Sequence, residues 1–239
     1  MADGPGRKRK GNKAQSLLLR FPVTDLARAV SLSGSNRQAF LKQFIDTFTT
    51  LSYAPTRQAA SMIYGVQKPL FETPAEPWAA VEKHLRATTD PNLLDMNLDA
   101  SRHLFHLVRP EGYEATECET QVLRVALKQI VYIGLDFYVT QGERLIFQFP
   151  QPRLDGPTDN ALLILGSIIH HAYVQGDYAA ADVELADVGR VSGTRRVDPR
   201  SPRIRLVPRE DILSLAALTA HIEDVYGILR ELGARPDKS

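Results

Sequence analysis

Seven arginines fall between Arg190 and Arg209. Arg203 and Arg205 are two apart and alternate with Ile204 and Leu206, the pattern of a strand that turns cations to one face and apolar groups to the other. Guanidinium groups two residues apart on a strand stand about 7 Å from each other, which matches adjacent phosphates of a nucleic-acid backbone. Arginine also suits that chemistry because its planar fork binds phosphate through two hydrogen bonds. Arg195 and Arg196 extend the run, and Arg7, Lys8, Arg9, Lys10 and Lys13 form a second basic group near the start. Residues 1–13 hold five basic residues and one acidic one, so the remainder of the chain is slightly acidic although the total is 29 basic against 28 acidic. A mildly acidic body with a basic arm and an arginine ribbon predicts a footprint for polyanions. The competing reading is a solvated edge strand protected by charge, with Glu184, Asp187 and Asp198 as ion-pair partners.

Residues Asp25 to Phe44 resemble a helix-turn-helix. Ala27 and Ala29 supply small residues in a first helix, Leu32-Ser33-Gly34 a tight turn, and Asn36, Arg37 and Gln38 a polar start to a second. In that reading Asn36, Arg37 and Gln38 read base edges. Two positions depart from the pattern: Ser31 stands where glycine is usual, and a position that should be buried falls on Arg37.

Other chemistries find less support. His103 and His106 are three apart on one helix, and His170 and His171 are adjacent, but no acidic or cysteine ligand set accompanies them. No metal site and no cofactor is expected. Cys118 lies between Glu117 and Glu119, which disfavour the thiolate. Ser167 sits inside an apolar helix with no nucleophile-elbow motif, and there is no glycine-rich phosphate loop. A helix, a strand meander and a second helix are similar to the core of metal-dependent nucleases, with Asp136 at the right kind of place. However, Gln148 and Gln151 stand where that chemistry needs a carboxylate and a lysine. No catalytic residue is assigned. The loop from Phe149 to Pro157 reads as a proline-stiffened connection.

The elements that must position these residues follow from periodicity. Residues 1–14 lack apolar side chains that would offset ordering entropy, and read as a disordered arm. Residues 15–112 read as a bundle of short helices: Val23–Ala29, Arg37–Phe48, Pro55–Tyr64, Pro74–Ala87 opened by a capping box at Thr73, and Asn97–Val108 after a break at Asp90-Pro91. Residues 113–239 change character. Thr116–Tyr132 reads as an amphipathic helix, Leu135–Phe149 as a hairpin turning at Gln141-Gly142, and Asp159–Val174 as a central apolar helix. Strands at Ala181–Val191 and Arg203–Val207 and a helix from Arg209 to Leu232 complete an α+β fold: a helical region, then a mostly antiparallel sheet packed with helices.

At 44% hydrophobic and 24% charged residues the composition is that of a globular protein, and no apolar run is long enough for a membrane span. With one cysteine and no signal-peptide pattern, the expected compartment is the cytoplasm. The leading expectation is a non-catalytic, regulatory protein binding nucleic acid through the arm, Asn36 to Gln38 and the ribbon. Its rival is a protein–protein adaptor or subunit, followed by a divergent nuclease.

Overall fold

The computed structural model describes residues 21–46, 52–66, 77–126, 129–190 and 199–234. Their helices are α1 (Val23–Ser31), α2 (Gly34–Asp46), α3 (Ala54–Gln58), α4 (Ala60–Tyr64), α5 (Trp78–Thr88), α6 (Pro91–Val108), α7 (Asp159–Tyr173) and α8 (Leu215–Ala234). The strands are β1 (Glu114–Glu117), β2 (Val122–Ala126), β3 (Gln129–Tyr132), β4 (Phe137–Gln141), β5 (Arg144–Gln151), β6 (Asp182–Asp187) and β7 (Arg203–Leu206). The α+β class and the N-terminal helices agree with the sequence. The capping box at Thr73 and Arg195 and Arg196 of the ribbon lie outside the described residues, as does the arm with Arg7, Lys8, Arg9 and Lys10.

Five strands form a sheet in the order β1-β4-β5-β6-β7, and β2 pairs with β3 in a separate hairpin. The β4–β5 hairpin turns at Gly142, whose φ of 61° lies in the left-handed region that favours glycine. The sheet is mixed. β5 and β6 run parallel, because α7 carries the chain back across the sheet between them. It is mostly antiparallel, as expected: β1–β4, β4–β5 and β6–β7 pair antiparallel, and β5–β6 at its centre is the parallel pair.

Two local expectations need correction. Thr116–Tyr132 is not a helix but three short strands. Its apolar residues satisfy a helical spacing, but Leu123, Val125 and Val131 are buried while Arg124 and Tyr132 are exposed, which is an alternation of two. Its β-branched Val122, Val125, Ile130 and Val131 favour the pleated form. Asp90-Pro91, taken as a break, also opens α6. The Asp90 carboxylate accepts from the Asn92 amide at 2.8 Å and Pro91 takes the first turn, where no amide hydrogen is needed.

One continuous apolar cluster runs through both halves, from Phe21 and Leu26 to Val225 and Leu229. Helices α4 and α6 lie on one sheet face, where the ring of Tyr64 lies 4.7 Å from that of Phe137, while α1 packs on α7. Helix α7 covers the opposite face, with Tyr173 4.9 Å from Phe147. Gly166 lets α7 approach closely, since a Cβ there would stand 2.5 Å from Val207.

Candidate functional site

Strands β5 and β6 end side by side at Gln151 and Asp187, and the loops leaving these parallel ends gather most of the ribbon's arginines. Crevices beyond the carboxyl ends of parallel strands are where such sheets commonly build sites. Asp187 is fully buried at the centre. Its Oδ1 accepts from the Gly189 amide at 2.9 Å and its Oδ2 from Arg203 Nη2 at 2.6 Å, with Arg205 Nη1 3.8 Å away. Burial pushes the Asp187 carboxyl above its ordinary range, against the opposing pull of the Gly189 amide and the arginines.

Each neighbouring cation is similarly engaged. Arg205 donates to Asp159 Oδ1 at 2.5 Å and to the Pro157 carbonyl at 2.9 Å. Arg190 pairs with Asp155, and Arg200 bonds Asp99 and the carbonyls of Pro152 and Val188. Arg153 grips the buried Asp25 of α1 through two bonds of 2.6 and 2.5 Å. Glycines let the loops touch: a Cβ on Gly156 would lie 2.6 Å from the Arg190 carbonyl, and one on Gly189 2.7 Å from the Gly156 nitrogen. The junction ties α1, α6, α7 and both loops together. Its guanidinium groups are spent on internal acceptors, so the row of Arg203 and Arg205 presented to phosphates is not what the fold builds.

Arg37 has a similar fate. Only 8% exposed, it donates through Nε to the carbonyls of Ala29 and Leu32 at 3.1 and 2.8 Å, and through Nη2 to Val30 at 3.1 Å. These carbonyls lie at the end of α1, where that of Ala29 also accepts from the Leu32 amide at 3.3 Å, so Arg37 caps that helix, and its Nη1 reaches Asp224 of α8 at 3.1 Å. Asn36 and Gln38 are exposed on either side, but the central residue of the proposed base-reading trio points inward. The departure at Arg37, visible in the sequence, was the signal.

A second polar network occupies the other sheet face. Tyr64 Oη donates to Gln148 Oε1 at 2.6 Å, and Gln148 Nε2 donates to Glu184 Oε2 at 2.9 Å. Arg144 Nη2 donates to Glu184 Oε1 at 3.1 Å and Tyr113 Oη to Oε2 at 3.4 Å. Burial, then the Tyr113 and Glu184 charges, hold the Tyr64 phenol well above its ordinary value. Burial and Glu184 push Tyr113 up to about 12. Gln148 is thus a buried link in this network, while Asp136 is exposed elsewhere, so the nuclease arrangement does not assemble. Among the described residues no group of three or more histidines, cysteines or carboxylates gathers to hold a metal ion. Burial first, then Asp136 and Glu117, pushes the Cys118 thiol up to about 11, which leaves it a poor nucleophile at neutral pH.

Among the described residues no helix is long and apolar enough to cross a membrane. The family model described as sliding clamp-binding bacterial toxin SocB matches residues 24–237. No curated protein and no solved structure matches the chain. The match overturns the leading expectation of a regulatory, DNA-binding protein, because the family is described by its binding to a protein, and it favours the protein–protein alternative. A chain matched over nearly its whole length, with its arginines turned into the fold, belongs to the SocB family of sliding clamp-binding bacterial toxins.

Proposed function

We propose that this chain is a bacterial toxin that acts by binding the sliding clamp, without catalysis, in the cytoplasm where the clamp works. The family match over residues 24–237 carries this reading. The inward-turned arginines support it, since Arg37, Arg203 and Arg205 are already engaged with groups of the fold itself.

The stretch best suited to docking is Gln67-Lys68-Pro69-Leu70-Phe71, which lies outside the described residues. It follows the end of α4, where Gly65 stops the helix with a φ of 66°. Proline lowers the entropy lost when a peptide is immobilised, and adjacent leucine and phenylalanine provide the apolar and aromatic anchors that dominate binding energy. Pro74 and Pro77 follow within a few residues. The stretch holds no catalytic group and little charge; its signal is two large apolar residues directly after a proline.

The test is titration of the purified chain onto a bacterial sliding clamp by calorimetry, beside a Leu70→Ala/Phe71→Ala variant. The expected result is saturable binding that weakens about 100-fold or more in the variant, as loss of a hot spot implies. Absence of binding by the native chain overturns the clamp reading. Equal binding by both proteins keeps the clamp and removes this stretch as the docking segment.

A further inference from the structure

Strand β1 closes one end of the five-stranded sheet. Its ladder to β4 pairs Glu114 with Thr140 and Thr116 with Tyr138, and the Cys118 amide continues it to the Asp136 carbonyl at 2.8 Å. In an antiparallel ladder alternate residues bond to the same neighbour, so Ala115 and Glu117 turn their amides and carbonyls to the open side. Among the described residues no strand pairs there. The same edge is strongly acidic: Glu111, Glu114, Glu117 and Glu119 are all exposed, and Asp136 is exposed beside them. The opposite edge, β7, carries Arg203 and Arg205.

We propose that the open edge of β1 is the docking place of the chain's own basic arm, residues 7–13, which adds to the sheet as a short strand. The proposal is independent of the clamp reading. Charge complementarity selects the occupant, since Arg7, Lys8, Arg9, Lys10 and Lys13 meet an edge of carboxylates. Cross-strand opposite charges stabilise such pairs. Successive basic residues on an added strand project to both sheet faces, and Glu114 and Glu117, of opposite parity on β1, offer a carboxylate on each.

Reach is sufficient. The described chain begins at Phe21, and Asp25 is tied to Arg153 just beyond the end of β5. A strand added outside β1 lies three strand spacings from β5, about 14 Å across the sheet. The eight residues from Lys13 to Phe21 extend up to about 26 Å.

Amide hydrogen exchange on the full-length chain and on a variant lacking residues 2–13 tests this. Thr116, whose amide faces β4, serves as the internal reference. The expected result at ~20 mM salt is that Ala115 and Glu117 exchange at least about tenfold more slowly in the full chain, with protection falling at ~500 mM as screening sets in. A Glu114→Gln/Glu117→Gln variant should lose much of that protection while Thr116 keeps its own. A synthetic peptide of residues 1–14 added to the shortened chain should restore protection. Equal exchange of Ala115 and Glu117 with and without the arm overturns the proposal. Protection that persists without the arm and rises with protein concentration also overturns it, and assigns the edge to a second copy instead.

Discussion

Strand β6 delivers two buried carboxylates to opposite faces of one sheet, and the fold treats them differently. Asp187, at the strand's end, sits under a lattice of arginines drawn from the loops and β7. Glu184, three residues earlier, faces the helical region and is held by an amide, a phenol and one arginine. The first region joins charge to charge at a crossing of loops; the second passes hydrogen bonds from Tyr64 of α4 through Gln148 into the sheet. Odd spacing along a strand separates them, so residues close in sequence anchor unrelated parts of the molecule. A run of charge is therefore no guide to exposure until the acceptors on other elements are known.

Removing the carboxylate at the loop junction should have the largest effect. Asp187→Ala leaves Arg203 and Arg205 without their shared buried partner and should cost about 3 kcal/mol, read from the midpoint of chemical denaturation. Asp187→Asn keeps an acceptor for the Gly189 amide and should cost less. A loss no larger than that of an exposed ion pair would mean that the arginines rehydrate freely and the junction is a surface feature.

The second network should yield a smaller number. Tyr64→Phe removes the donor to Gln148 Oε1, leaves that buried oxygen unsatisfied and should cost about 1–2 kcal/mol. Paired with Asp187→Ala, the two losses should add, since the groups lie on opposite sheet faces; strong coupling would show that β6 links the regions mechanically.

Alkaline pH should separate the regions with the smallest perturbation. The Tyr64 and Tyr113 pKa values are raised in the folded state, Tyr113 to about 12 from an ordinary 10.0. The unfolded chain therefore loses these protons first. The stability that the phenols contribute is whole below pH 10 and is lost as pH climbs toward 12. Arginines stay charged over that range, so the Asp187 junction should hold while the Glu184 side loosens. Hydrogen exchange at Gln148 and Arg203 as a function of pH reads the difference, and simultaneous loosening of both would contradict it.

Much of the architecture was legible. Apolar spacing placed α1, α2 and α7, and the turn at Gly142 placed the β4–β5 hairpin. The same reasoning failed at Thr116–Tyr132, where helical and alternating periods fit the same residues and strand pairing decided between them. It also took Arg37, Arg203 and Arg205 as outward-facing. Their types and spacing allowed a phosphate row, but Asp224, Asp187 and Asp159, distant in sequence, claim them.

By itself the sequence determined the α+β class, the helices and hairpin whose local periods are unambiguous, and the basic character of residues 7–13. Only the tertiary structure decided that β5 and β6 run parallel and that Arg37 caps the helix before it. It also decided that Arg190, Arg200, Arg203 and Arg205 close a junction of loops rather than form a surface. The reason is physical. Period and propensity act over a few residues, whereas the partner of a buried charge is fixed by elements that meet only when the chain has folded.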